Sequence, residues 1–249
     1  MANDRKINYD LLVAMPTEET KIFCIERVLR SVMSMRLPDS SHMLIATGRS
    51  DPIGGEIEKI LDEYGPGNFQ RITMRRLGII RDQTIWDSEG FRPITLHRNF
   101  ALRVARRFGY EELMFIDSDI ETPENTYEEL SRLGVDIAGG YYESRYFEER
   151  PFFGNRGADS ITIPREGIDY EPGDVLEVDY TGLGCSLLSG RVITELMFPP
   201  TVYEAEDIAF LNQALEKGMT VKVHTGIRCD HHSLFDQRIP SLKGTYSVL

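Results

Sequence analysis

The sequence predicts an α/β fold: a doubly wound, mostly parallel sheet with helices on both faces, in a single domain. Through residues 1–135, short apolar runs alternate with amphipathic helical patterns, which is typical of successive βαβ units. The chain has 249 residues, and we find no internal repeat or linker that would divide it. Its 41% hydrophobic and 27% charged residues are ordinary for a globular protein and argue against disorder.

The first half predicts four strands, each followed by a helix. These assignments rest on the apolar runs and on the proline and glycine residues that end them. The predicted strands are residues 10–15, 43–46, a stretch within 69–80, and 113–116. The predicted helices cover 22–33, 57–64, 96–108 and a segment beginning near Pro123. Residues 81–94 show no period and are predicted to be a loop that holds the single tryptophan, Trp86.

After Val135 the alternation becomes irregular, and we expect a second half over residues 136–232. Residues 135–142 and 175–188 are predicted as strands, with a loop or small hairpin at 154–174 between them. A helix is predicted over 204–217 and a final strand over 221–232. The last residues, 233–249, predict an extended tail or lid.

Charge and cysteine usage restrict the class of function. Lys plus Arg is 28 against 40 for Asp plus Glu, so the net charge of −12 argues against a nucleic-acid binder. Cys24, Cys185 and Cys229 show no CxxC spacing, which argues against a disulfide framework or a zinc ribbon. The N-terminus lacks the apolar core of a secretory signal, and no apolar run approaches the ~20 residues of a membrane span. We expect a cytoplasmic protein, soluble or peripheral to a membrane.

Asp117 and Asp119 directly follow the apolar strand at 113–116. In open α/β sheets, ligands bind in the crevice beyond the carboxyl ends of the strands. Two carboxylates there can hold a divalent metal, and a metal can bridge to a diphosphate. The alternative is that both are turn aspartates that cap the helix after Pro123.

Glu206 and Asp207 fall in the first turn of a predicted helix, where the helix dipole favours acidic residues for stability alone. Asp207, however, shares a helix face with Leu211 and Ala214, which should turn inward. A carboxylate aimed at a cleft from that face can act as a general base.

His231 and His232 end the last predicted strand. A neutral imidazole binds ions such as Mn²⁺ or Zn²⁺, and adjacent strand residues point to opposite sides, so we expect only one ligand here. The alternative is one surface histidine and one packed against the tail.

Further candidates surround these motifs. Arg98 and Asn99 near a helix N-terminus can hold a phosphate or a base. The loops at 16–19 and 48–51 lie at the same sheet edge, although ordinary turn chemistry explains them equally well. Gly182 and Gly184 permit a close approach of backbone or ligand, or else mark a bulge.

The order of these motifs along residues 9–232 resembles the GT-A-fold nucleotide-sugar glycosyltransferases, in particular the small, family-2-like bacterial, archaeal and viral members. The resemblance rests on the order of these motifs: Pro-Thr after the first strand, Arg-Asn on a helix, D-x-D-x-x-x-Pro, Asp-Ile-x-Gly-Gly-Tyr-Tyr, Val-Asp-x-x-Gly-x-Gly, Glu-Asp and a terminal His. It implies that residues 1–135 bind the nucleotide and that 136–232 bind the acceptor.

The resemblance also implies residue roles. Asp119 would ligate Mn²⁺ or Mg²⁺, Asp117 would contact the ribose or assist the metal, and His231, or His232 instead, would complete the metal site. Asp207, beside Glu206, would be the base at the acceptor in inverting members. The implied nucleoside pocket consists of Pro16, Thr17, Glu18, Asp51, Arg98 and Asn99, and Gly182 and Gly184 would border the sugar and the acceptor.

The function predicted is therefore metal-dependent transfer of a sugar from a nucleoside-diphosphate sugar to the hydroxyl of a carbohydrate or other acceptor. A sugar nucleotidyltransferase needs a Gly-rich basic loop after the first strand, where this chain has Pro-Thr-Glu-Glu-Thr. A two-metal nuclease would need more carboxylates around Asp117 and Asp119. A non-catalytic sugar-nucleotide or carbohydrate-binding protein would have no need of the Glu206–Asp207 pair.

Overall fold

The computed structural model describes residues 9–48, 51–77, 93–144, 150–157, 161–200 and 205–233. The predicted loop around Trp86, apart from its last two residues, and nearly all of the predicted tail lie outside these ranges. No helix within the described ranges combines the length and apolar character that crossing a bilayer requires.

The first half folds as its hydrophobic pattern predicts. Its strands are β1 (Tyr9–Pro16), β2 (His42–Gly48), β3 (Arg71–Leu77) and β4 (Tyr110–Ile116). Its helices are α1 (Ile25–Ser34), α2 (Ile53–Tyr64), α3 (Pro93–Phe108) and α4 (Thr126–Ser131), and a 3-10 turn, Glu19–Lys21, follows β1. The predicted end of the loop at residue 94 was wrong, because α3 already begins at Pro93. The fixed φ of proline suits the first turn of a helix.

The second half is more finely divided than predicted. Its elements are β5 (Ile120–Glu121), β6 (Ile137–Tyr141), β7 (Phe153–Arg156), β8 (Ile161–Thr162), β9 (Val175–Glu177), β10 (Tyr180–Thr181), β11 (Cys185–Ser189), α5 (Gly190–Glu195), α6 (Glu206–Glu216), β12 (Val221–Arg228) and β13 (Asp230–His231). The single strand predicted over 175–188 is wrong: its three parts pair with different partners in two sheets. The small hairpin expected within 154–174 is confirmed as β7–β8.

Within the described ranges, the main sheet has eight strands in the order β3-β2-β1-β4-β11-β6-β12-β9. It is mostly parallel, as predicted; β11 is antiparallel to both its neighbours and β9 to β12. The chain winds from β1 to β2 on one side and returns to β4 on the other. This reversal opens a crevice at the carboxyl ends of β1 and β4, where ligands bind in sheets of this type.

Helices cover both faces of the sheet, as predicted. Along β1 the side chains alternate between two cores: Leu12 and Ala14 face one, while Leu11, Val13 and Met15 face the other. The first core takes buried residues from α3, α5 and α6, and the second from α1, α2 and α4. Because both faces of β1 and β4 are buried, the crevice at their ends is built on the rigid centre of the molecule.

Candidate active site

A cavity of about 650 Å³ opens at the carboxyl ends of β1 and β4. Its volume lies in the ordinary range for small-molecule sites. It brings together most of the candidates that the sequence singles out, from segments far apart in the chain. Those lining it are Pro16, Thr17, Glu18, Arg98, Asp117, Asp119, Gly184, Glu206, Asp207 and His231.

Arg98 joins two of the acidic motifs. Its side chain is only 3% exposed, and its Nη2 donates to both carboxylate oxygens of Asp117 at 3.0 and 3.1 Å. Its Nη1 donates to Glu206 Oε1 at 3.1 Å. Burial opposes the charge on Arg98, but the two carboxylates outweigh it and hold the pKa of the guanidinium above its ordinary value. Arg98 therefore fixes the aspartate after β4 against the first turn of α6.

Asp119 lies in a different electrostatic setting. Its side chain is 5% exposed and is ion-paired through Oδ2 with the ammonium of Lys21. His231 Nε2 lies 3.6 Å from the same oxygen. Burial alone would raise the pKa of Asp119, but His231 and Lys21 together hold it well below its usual range. Sequence reasoning missed Lys21, the single basic residue in the acidic stretch that follows Pro16.

His231 reaches the cavity because β13 pairs antiparallel with β5, opposite Ile120. Its Nδ1 donates to the backbone carbonyl of Glu143 at 2.8 Å, which leaves Nε2 facing Asp119. His232 is not among the lining residues, and its Nε2 lies 2.9 Å from Glu121 Oε2. The two neighbours thus point to different sides, with His231 at the cavity.

The residues present fit a divalent cation only in part. Among the described residues, no group of three His, Cys, Asp or Glu side chains forms a metal site by itself. Asp119 Oδ2 and His231 Nε2, 3.6 Å apart, can nevertheless both reach one ion at about 2.1 Å. Mg²⁺-like ions commonly use one or two protein ligands together with substrate phosphates. The pair therefore suits a cation that is shared with a diphosphate.

Asp207 has an environment opposite to that of Asp119. Its Oδ1 accepts a hydrogen bond from the backbone of Ile208 at 2.8 Å, within the first turn of α6. Burial and the neighbouring carboxylate of Glu206 raise the pKa of Asp207 to about 6. A carboxylate with such a pKa can exchange a proton near neutral pH.

Tyr142 explains the two glycines predicted to border the sugar. Its buried hydroxyl accepts a hydrogen bond from the backbone of Gly184 at 3.0 Å. A Cβ on Gly182 would lie 1.9 Å from that hydroxyl oxygen and 2.8 Å from the ring of Phe152. Gly184 lines the cavity, as expected, whereas Gly182 is not among the lining residues. Gly182 therefore makes room for Tyr142, which the sequence analysis includes in a motif but not among the site residues.

Asn99 and Asp51 are not brought to the cavity, contrary to the expected nucleoside contacts. The amide of Asn99 is buried and bonds both the N–H and the carbonyl of Phe198 at 2.9 Å. Asp51 accepts bonds from the backbone N–H groups of Glu19 at 3.0 Å and Ile53 at 3.1 Å. Both side chains thus brace backbone segments behind the cavity.

One wall of the cavity carries polar groups with open hydrogen-bonding capacity. Thr17 and His97 both line it and are 3% and 7% exposed. Within the part of the chain that the structure describes, Thr17 Oγ1 and His97 Nε2 have no hydrogen-bond partner. Burial, only partly opposed by Asp51, lowers the pKa of His97 to about 4, so the imidazole is neutral at neutral pH. His97 was not a candidate from the sequence.

No protein-family model matches this sequence, and no curated protein sequence matches it. Solved structures do. The mannosyltransferase PcManGT from Pyrobaculum calidifontis, in complex with GDP-Man and Mn²⁺, aligns with 92% of this chain at a TM-score of 0.60 and 13% identity. TarS 1–349 from S. aureus, in complex with UDP-GlcNAc, aligns with 90% at a TM-score of 0.58 and 16% identity.

This chain has the GT-A fold. The fold class expected from the order of the motifs is thereby confirmed. The chain spans 58% of the length of the mannosyltransferase and 59% of that of the TarS fragment. At this level of identity the likeness shows the fold alone.

Proposed function

We propose that this protein is a glycosyltransferase that uses a nucleoside-diphosphate sugar and a divalent cation. One observation carries the proposal: a single cavity collects a low-pKa carboxylate, an imidazole and a high-pKa carboxylate at the crevice of a GT-A sheet. A binding protein needs no group that can exchange a proton near neutral pH, whereas an inverting transferase uses one as the base at its acceptor. The solved neighbours hold UDP-GlcNAc in one case and GDP-Man with Mn²⁺ in the other, which supports the donor class.

Asp119 and His231 would hold Mn²⁺ or Mg²⁺, with Asp117 close by. The bound ion supplies positive charge that neutralises the departing nucleoside diphosphate. His231 is oriented for this by its bond to the Glu143 carbonyl, an arrangement common among metal-binding histidines. Asp117 is oriented by Arg98, and its carboxylate stays 29% exposed toward the cavity.

Asp207 would act on the acceptor. As the acceptor oxygen bonds to the sugar carbon and the bond from that carbon to the diphosphate breaks, Asp207 takes the proton of the hydroxyl. Glu206 supports this role because its negative charge raises the pKa of Asp207. Arg98 holds Glu206 in place, so the base and the aspartate after β4 keep a fixed separation.

Thr17 and His97 would contact the nucleoside from the wall beside Pro16 and Glu18. Both groups are buried at the cavity and open to a further hydrogen bond, which a base or ribose can complete. The two solved neighbours carry different bases, uracil and guanine, so the likeness in fold does not choose between them.

The proposal is tested by thermal shift with nucleoside diphosphates and nucleotide sugars, each with and without Mn²⁺. A ligand that binds only the folded state raises Tm. At a ligand concentration of a hundred times Kd, the free energy of unfolding increases by about 2.7 kcal/mol. We expect a metal-dependent shift for one base. Asp119→Asn should abolish the metal-dependent part, whereas Asp62→Asn, an exposed position on α2, should retain it. A metal-dependent shift that survives in Asp119→Asn would refute the cation assignment.

A further inference from the structure

Lys21 is a cavity residue that the proposed chemistry leaves unused. It ends the 3-10 turn that follows β1, and its ammonium is ion-paired with Asp119 Oδ2. Both side chains are largely buried, at 14% and 5% exposure. The pair is therefore built into the cavity wall and is not a screened surface contact.

Asp119 Oδ2, the oxygen paired with Lys21, also faces His231. Asp119 Oδ2 lies 3.6 Å from His231 Nε2, so the ion pair of Lys21 and the metal position assigned to Asp119 and His231 use one carboxylate oxygen. An ammonium within hydrogen-bond distance and a divalent cation at about 2.1 Å repel each other strongly at a common oxygen. The two positive charges therefore disfavour each other at this carboxylate.

We propose that Lys21 and the divalent cation compete for Asp119, so that the cation binds weakly until a diphosphate draws the ammonium away. The inference rests on the proposed function, because it assigns the diphosphate to this cavity. Lysine suits such an exchange, since its charge sits on a flexible four-carbon stem and pairs with carboxylate or phosphate oxygens alike.

The competition makes the cation and the diphosphate bind with positive coupling. A diphosphate that paired with the Lys21 ammonium would free Asp119 Oδ2 to hold the cation, whose positive charge would in turn favour the diphosphate. By linkage, each ligand raises the affinity of the other by the same factor. Lys21 is thus a positioning residue that sets the order in which the site fills.

The test is Mn²⁺ binding followed by the electron paramagnetic resonance signal of free Mn²⁺, which needs no turnover. Wild type, Lys21→Met and Lys21→Gln are titrated alone and with saturating UDP or GDP. Lys59→Met is the matched control, since Lys59 pairs with Glu56 on the exposed face of α2. Circular dichroism verifies folding, and the Gln variant keeps a polar side chain should the Met variant unfold.

We expect both Lys21 variants to bind Mn²⁺ without nucleotide about tenfold more tightly than wild type, because an opposing charge is gone. UDP or GDP should strengthen Mn²⁺ binding to wild type and to Lys59→Met, and do so much less in the Lys21 variants. Mn²⁺ binding that is unchanged or weaker in both Lys21 variants would overturn the competition.

The proposed function is judged separately by the thermal-shift experiment. A metal-dependent nucleotide shift in wild type, with no gain of Mn²⁺ affinity in the Lys21 variants, rejects the competition and leaves the transferase assignment standing. If no variant binds Mn²⁺ and no nucleotide shifts Tm, both proposals fail.

Discussion

At the scale of single residues, the cavity holds two carboxylates whose surroundings move their pKa values apart. Asp119 faces Lys21 and His231, which keep it ionised. Asp207 is placed beside another carboxylate, Glu206, and its pKa rises to about 6. This separation is the basis of our proposal that Asp119 binds positive charge and Asp207 moves a proton.

The raised pKa of Asp207 predicts the pH dependence of turnover. Below about pH 6 the carboxyl is protonated and cannot accept a proton, so kcat/KM should fall about tenfold per pH unit as the pH drops further. The pH dependence of kcat/KM is measured from the initial rate at which nucleoside diphosphate is released from the donor, between about pH 5 and pH 8.

Asp207→Asn should lower the rate by about 10²–10⁴-fold and leave the thermal shift by nucleotide and Mn²⁺ intact. Asp62→Asn serves again as the exposed control. Turnover near the wild-type rate in Asp207→Asn would remove Asp207 from the mechanism.

His97 predicts a pH dependence of stability. Its folded pKa of about 4 lies below the ordinary value of 6.5, so the unfolded chain binds a proton that the folded protein refuses. The stabilising contribution is therefore complete above about pH 6.5 and is lost as the pH falls toward 4, by about 2 kcal/mol between pH 7.5 and pH 5. Urea unfolding of wild type and His97→Gln at both pH values measures it. Equal losses in the two proteins would contradict the assignment.

At the scale of elements, the segment between β10 and β11 is shaped around Tyr142. The ring of Tyr142 stacks on Phe152, with centroids 5.5 Å apart, so it has little freedom to give way. Close packing of this kind requires glycine at position 182, where a methyl group would overlap the hydroxyl. Gly182 therefore serves the packing of Tyr142.

Gly182→Ala should destabilise the protein by about 1–3 kcal/mol, the usual cost of overpacking a filled site. Gly55→Ala provides the matched control: a Cβ added there in α2 would meet nothing within 4 Å, and alanine should stabilise by about 0.5–1 kcal/mol. Chemical denaturation of the two variants compares them. A Gly182→Ala protein as stable as wild type would show that Tyr142 yields easily.

Elements in which hydrophobic residues recur at a regular spacing were predictable from the sequence, and short elements were not. Along α1, buried Ile25, Val28 and Leu29 recur at helical spacing, and this spacing can be read directly from the sequence. α5 has only six residues, and its one local signal is the Ser189 side chain that caps the N–H of Val192. The run at 175–188 was predicted as one strand although it contains Gly182 and Gly184, and in the structure its parts pair with different partners.

At the scale of the whole molecule, the site depends on contacts between segments far apart in the chain. Arg98 on α3 pairs with Asp117 after β4 and with Glu206 on α6. The backbone N–H of His232 donates to the carbonyl of Asp119 at 2.8 Å. This bond holds the end of β13 beside the turn between β4 and β5. Removing any one element would leave a buried charge uncompensated, which is why we expect these parts to fold together.

The sequence by itself determined the α/β class, the order of the elements in the first half, and most residues of the cavity. Local hydrophobic period was sufficient for the class and the elements. The cavity residues were predicted from short motifs, from the rule that ligands gather at the carboxyl ends of parallel strands, and from what the resemblance to GT-A glycosyltransferases implies. The tertiary structure alone decided that His231 faces Asp119, that Asp51 and Asn99 brace the backbone, and that Lys21, His97 and Tyr142 line the cavity. These outcomes depend on which distant segments pair and pack together, and a local pattern does not specify the partner of a segment.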